Sequence, residues 1–116
     1  MVNVSSGLAL VPKMSAPIYC ATKAAVHSFS QALRYQLEDH RPSIRVFEVL
    51  PPMVDTRMTA GRGERPGQKI TPAQVSRETL DGMRRDRYEL NVSKVKLLKW
   101  VNRFAPNVAE RILRNF

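Results

Sequence analysis

What this chain lacks narrows it first. It has one cysteine, Cys20, so no internal disulfide can form, and a reducing, cytoplasmic setting is expected. Its two histidines, His27 and His40, stand too far apart in sequence to offer ligand spacing, and no metal site is expected. No apolar run approaches the roughly 20 residues that a membrane-spanning helix requires, and no charged segment followed by an apolar one marks a leader. Acidic residues are scarce, 10 against 19 Lys and Arg, for a net charge of +9. Residues 1 to 56 are nearly balanced, with Lys13, Lys23, Arg34, Arg41 and Arg45 set against Glu38, Asp39, Glu48 and Asp55, so the excess lies in the second half. A basic half attracts polyanions in general. The expectation is nonetheless a solvated surface, with no specific nucleic-acid partner.

What is present suits a single α/β domain of 116 residues, whose 43% apolar content is enough for a core. Val2-Asn3-Val4-Ser5-Ser6 reads as a short strand end, broken by Gly7 and followed by a connecting loop through Pro12 and Pro17. From Ile18 to His40 the period turns helical. Ala21, Ala25, Phe29, Ala32, Leu33 and Leu37 fall three or four apart and predict one buried stripe. The small residues Ala21, Ala24, Ala25 and Ser28 would also let another backbone approach, in the core or in a homo-oligomer. Pro42 ends this helix, and the run Ile44 to Leu50 predicts a strand stopped by Pro51-Pro52. Arg57 to Lys69 reads as a loop. Thr71-Pro72-Ala73-Gln74 is a helix start with a capping box, predicting a helix to about Arg85 that buries Val75, Leu80 and Met83. Tyr88 to Val92 predicts a third strand. Strand, helix, strand, helix, strand implies parallel pairing through right-handed crossovers. Two short helices, Val95 to Phe104 and Val108 to Phe116, are then separated at Pro106, making residues 94–116 a C-terminal amphipathic segment.

Within this frame Tyr19 and Lys23 lie one turn apart on one helix face, where an ammonium can favour the ionised form of a phenol. Taken alone, such a pair is most often an aromatic and a solvated lysine sharing a surface. Ser6 lies at the end of the preceding strand, thirteen positions before Tyr19, and Thr56 follows the proline turn after the next.

Together V-N-V-S-S-G, I-Y-C-A-T-K-A-A and L-P-P-M-V-D-T resemble the C-terminal half of the short-chain dehydrogenase/reductase family, closely over nearly the first sixty residues. The resemblance implies the corresponding half of a Rossmann-type doubly wound parallel sheet, with about three strands, crossover helices and the C-terminal amphipathic helices. It implies hydride exchange between NAD or NADP and a small-molecule carbonyl or alcohol. By the same resemblance Ser6 hydrogen-bonds the substrate oxygen, although a hydroxyl there can equally cap the turn at Gly7. Tyr19 is the general acid/base, and because a free phenol has a pKa of about 10 it needs help near neutrality. Lys23 gives that help and holds the ribose of the nicotinamide half of the cofactor. Pro51, Val54 and Thr56 match the turn that meets the nicotinamide carboxamide. Pro52 replaces the usual glycine, so geometry that depends on glycine's freedom cannot be copied.

The family's glycine-rich dinucleotide turn and its active-site asparagine are absent from these residues. Gly61, Gly63 and Gly67 lie in a charged loop after the wrong element and do not read as a phosphate cradle. The expectation is therefore a domain over residues 1–116 that lacks its dinucleotide-binding half, a truncated or mis-started reading of a longer oxidoreductase that is inactive alone. The alternative is a non-enzymatic binding or scaffold remnant using the basic half or the Ile18–His40 helix. A third reading attaches the chain to a membrane surface through Lys94 to Phe104. The expectation there is that the apolar face of Leu97, Trp100, Val101 and Phe104 packs on its own domain.

Overall fold

The computed structural model describes residues 1–63 and 67–115. Three short parallel strands, β1 (Val2–Val4), β2 (Phe47–Leu50) and β3 (Glu89–Asn91), form one sheet in the order β1-β2-β3. Helix α1 (Pro17–His40) connects the first pair and α2 (Pro72–Arg84) the second, and α3 (Val95–Phe104) and α4 (Pro106–Arg114) follow. The expected α/β fold with crossover helices is present. Both expected C-terminal helices form, but α4 starts on Pro106, whose missing N–H costs nothing at a first helical position. Phe116 lies outside the described residues.

Register decides which face each side chain meets. Val2 lies opposite Phe47, Val4 opposite Val49, and Val49 opposite Leu90, so these share one face of the sheet. There Phe47, Val49, Leu90 and Val92 form a core with Ile70, Val75, Met83 and Tyr88. Phe47 and Tyr88 stack with ring centroids 5.8 Å apart. Val2 and Val4, on the edge strand, stay exposed. A second cluster joins Val11 to Ala109 and Leu113, with Leu8, Leu10, Leu98 and Val101 against it, and ties the C-terminal helices to the segment after β1.

Three predicted faces are corrected. The stripe expected to bury α1 does not: Ala21, Ala25, Phe29 and Ala32 are exposed, and Leu33 and Leu37 only half-buried. The helix instead turns Cys20 and Ser30 inward, with Lys23, His27 and Arg34 half-buried. The cause is the sheet, whose face toward α1 presents Asn3, Ser5 and Glu48. Asn3 Nδ2 donates to Ser30 Oγ at 3.0 Å, and His27 meets Glu48. A polar sheet face selects a polar helix face, because an unpaired buried polar group costs more than an exposed alanine.

In α2, Val75 and Met83 are half-buried as expected, but Leu80 is exposed. It stands about 140° around the helix from Val75. Thr71 does cap the helix, accepting from Gln74 N at 3.2 Å, while the Gln74 side chain donates to Glu78 rather than closing the box. In α3 the face of Leu97, Trp100 and Phe104 is exposed, and burial falls on Val95, with Leu98 and Val101 half-buried. Of the face expected to pack on its own domain only Val101 does so, together with Leu98, because the cluster around Val11 is reached by the neighbouring side of the helix, and for the other three residues the expectation is corrected.

Gly82 is where α2 lies closest to the sheet. A Cβ there would stand 2.2 Å from Leu90 Cδ2. Helix propensity favours Ala over Gly by about 1 kcal/mol. Overpacking costs about 1–3 kcal/mol, and Leu90 is enclosed by Phe47, Val49 and Val92. Gly82→Ala is therefore expected to lower stability by about 1 kcal/mol net in urea unfolding. A gain would show that Leu90 turns aside freely.

Candidate active site

In an open parallel sheet the carboxyl ends of the strands are where ligands meet the chain. Here the strand ends continue past the sheet side by side. Ser5 N donates to Val49 O at 2.9 Å and Gly7 N to Pro51 O at 3.0 Å, which sets the Ser6–Gly7 turn against the Pro51 turn. Ser6 is buried in extended backbone, and its Oγ accepts from Leu8 N at 3.1 Å, capping a 3-10 turn over Gly7–Ala9. The bland role of this hydroxyl is thus present. Its own proton remains available to donate, because a serine oxygen both accepts and donates.

Helix α1 begins beside this turn, with Pro17 in its first turn. Tyr19 is 38% exposed and open to a ligand. Lys23 is half-buried beneath it, its Nζ donating to Val4 O at 3.2 Å and lying 5.7 Å from the Tyr19 ring centroid. The ammonium therefore joins the end of the serine-bearing strand to the phenol.

What anchors α1 to the sheet was not legible as a site. Ser5 Oγ donates to Glu48 Oε1, and His27 Nδ1 lies 3.0 Å and 2.8 Å from the two oxygens of the same carboxylate. Glu48 is only 4% exposed, so it depends on these two partners. The His27 ring nitrogen and the Glu48 carboxyl group share one proton across this contact. The network fixes the rotation of α1, and with it Tyr19 and Lys23, against the strand that carries Ser6. One signal was available: a lone acid in the otherwise apolar run Val46 to Leu50 must find a partner when buried.

The Pro51–Thr56 turn is also held from outside. Thr56 N donates to Thr59 Oγ1 at 3.1 Å, and Thr59 Oγ1 donates to Val54 O. Val54 bridges Ile70, with Asp55 N to Ile70 O at 2.9 Å and Ile70 N to Met53 O at 3.1 Å. No residue from Pro51 to Thr56 has positive φ, so Pro52 is accommodated without glycine's freedom. The Thr56 residue is exposed. Among the described residues no group of three His, Cys, Asp or Glu could hold a metal ion.

The family model for short chain dehydrogenases matches residues 1–67. The chain belongs to the short-chain dehydrogenase family. An uncharacterized oxidoreductase, DltE, of Bacillus subtilis (strain 168) is 40% identical over 102 residues, covering 85% of this chain and 40% of that protein. An uncharacterized oxidoreductase of Staphylococcus aureus (strain USA300) is 30% identical over 95 residues, 82% of this chain and 40% of that one. The crystal structure of a short-chain dehydrogenase from Burkholderia cenocepacia J2315 in complex with NADP aligns with a TM-score of 0.83 at 26% identity, covering 97% of this chain and 46% of the other. This short-chain dehydrogenase chain thus spans about 40% of the length of its curated relatives.

Proposed function

We propose that this chain is the proton-transfer portion of an NAD(P)-dependent oxidoreductase that reduces small carbonyls or oxidises the matching alcohols. The observation that carries the reading is Lys23, tied to Val4 O at the serine-bearing strand and 5.7 Å from the Tyr19 ring. The NADP held by the Burkholderia cenocepacia relative supports the choice of cofactor.

The donors present fit the nicotinamide–ribose end of a dinucleotide: the Tyr19 hydroxyl, the Lys23 ammonium and the exposed Thr56 residue, with Pro51 and Val54 shaping the turn. They do not fit the pyrophosphate. Gly61, Gly63 and Gly67 have positive φ but lie between β2 and α2 in a loop that contains its own 3-10 turn, not at a helix N-terminus. When bound, the dinucleotide supplies or takes the hydride. Ser6 donates its O–H to the substrate oxygen. Tyr19 delivers a proton to that oxygen during reduction and takes it back during oxidation, while Lys23 stabilises charge on the phenol oxygen. A homo-oligomer contact on the exposed face of α1, at Ala21, Ala25 and Phe29, belongs to the same reading, and sedimentation of the chain extended to the length of its relatives reads it directly.

The test joins this chain to a segment that brings it to the length of its relatives, then follows loss of NADH or NADPH over a panel of aldehydes and ketones. Turnover with at least one carbonyl is expected, and none on a broad panel refutes the reading. The 116-residue chain alone is expected to bind either dinucleotide more weakly than micromolar. Micromolar affinity in calorimetry would refute the idea that the missing glycine-rich turn matters.

A further inference from the structure

Helix α3 turns Val95, Leu98 and Val101 toward the chain, yet Leu97, Trp100 and Phe104 are 67%, 62% and 71% exposed. At 3.6 residues per turn these three fall within about 60° of one another, in a row beside the buried side. Trp100 and Phe104 stack at 5.5 Å with planes 15° apart, so the row is a continuous aromatic ledge. On its outer flank stand the exposed Lys96 and Arg103, the latter with its guanidinium 6.0 Å from the Phe104 ring. Helix α4 buries Ala109 and Leu113 while Val108 and Ile112 are exposed, with the exposed Arg111 on their flank.

The charge is of one sign. Lys94, Lys96, Lys99, Arg103, Arg111 and Arg114 face a single acid, Glu110, across these two helices. Lys99 is held by Glu89 and Lys94 by Gly67 O. Lys96, Arg103, Arg111 and Arg114 make no ion pair among the described residues. An apolar ledge with uncompensated cations along its border is complementary to an anionic lipid surface, where aromatic rings settle at the headgroup level and basic side chains meet phosphates. Among the described residues no helix is long and apolar enough to cross a membrane, so the helices would lie in the interface plane.

We propose that α3 and α4 dock this chain onto an anionic bilayer surface, with Leu97, Trp100 and Phe104 entering the headgroup–acyl boundary and Lys96, Arg103 and Arg111 meeting the lipid phosphates. The proposal goes beyond the oxidoreductase reading and stands or falls without it.

Trp100 is the only tryptophan of the chain, so its emission reports this ledge alone. Mixed phosphatidylglycerol–phosphatidylcholine vesicles are expected to shift that emission to shorter wavelength and to sediment the protein, with binding that weakens as salt rises. Pure phosphatidylcholine vesicles are expected to do neither. Each basic residue near an anionic surface contributes roughly fivefold. Lys96→Glu with Arg103→Glu is therefore expected to weaken binding by about 25-fold or more. Both side chains are exposed, and circular dichroism of the variant checks that its helices persist. Three results overturn the proposal: no shift and no sedimentation with the anionic vesicles, equal binding to neutral vesicles or by the charge-reversed variant, or a lipid-free shift that grows with protein concentration, which would make a second copy the occupant.

Discussion

On the proposed reading, Tyr19→Phe in the chain joined to a segment that brings it to the length of its relatives is expected to lower kcat for carbonyl reduction by about 10²–10⁴-fold, the range a positioned proton donor contributes, while KM for the dinucleotide changes little. The substitution removes one oxygen and keeps the ring beside the Lys23 ammonium, so α1 should hold its place. Steady-state kinetics with the best carbonyl of the panel provide the measurement. Retained turnover would mean that the proton comes from elsewhere and that the phenol is only a neighbour of the lysine. Lys23→Met provides the contrast. Lys23 both donates to Val4 O and lies beside the phenol, so its loss should lower kcat and raise the dinucleotide KM together.

The largest effect on stability is expected at His27. His27→Ala leaves the Glu48 carboxylate, 4% exposed, with Ser5 as its remaining side-chain partner. Breaking a buried ionic contact from one side costs about 3–5 kcal/mol. The His27 side chain is 19% exposed, so water can reach the vacated position, and a loss of about 2–3 kcal/mol in urea unfolding is the expected result. The pair His27→Leu and Glu48→Leu should cost less than His27→Ala alone, because it removes the stranded charge along with its partner. Additive losses would show that the carboxylate is not what makes His27 necessary. On the proposed reading, His27→Ala in the chain extended to the length of its relatives should also lower kcat, because the contact sets the rotation of the helix that presents Tyr19.

Much of the fold could be read from local chemistry. Thr71-Pro72 marks the start of α2, Pro42 and Pro51 bracket β2, and the order of elements dictates parallel pairing. The face each helix buries was harder to read, for a different reason in each case. Ala21, Ala25 and Phe29 have helical spacing, but α1 meets a sheet face made by Asn3, Ser5 and Glu48, and nothing local to the helix encodes that polarity. Leu80 counted as core on hydrophobicity, although its angle from Val75 already placed it outside. On α3 an amphipathic pattern establishes that a seam exists, and tertiary contact with Val11 decides which part of it is covered. Of the candidate site, Ser6, Tyr19 and Lys23 could be nominated only because their motifs resemble a family's in order and spacing; the local chemistry of the Tyr19–Lys23 pair alone reads as an ordinary surface pair. The Ser5–Glu48–His27 contact joins three elements, and Thr59 acts through a hydroxyl that any exposed loop threonine could carry, so neither had a spacing to reveal it.

The pairing of β1 with β2 also sets a timetable. Val2 and Phe47 are partners about 45 residues apart, with all of α1 between them. During synthesis at about 5–20 residues per second, the edge strand emerges roughly 2–9 s before its partner. For those seconds Val2 and Val4 are an unsatisfied β-forming segment within reach of any other nascent chain. Soluble yield in cell-free synthesis should accordingly fall as the concentration of nascent chains rises.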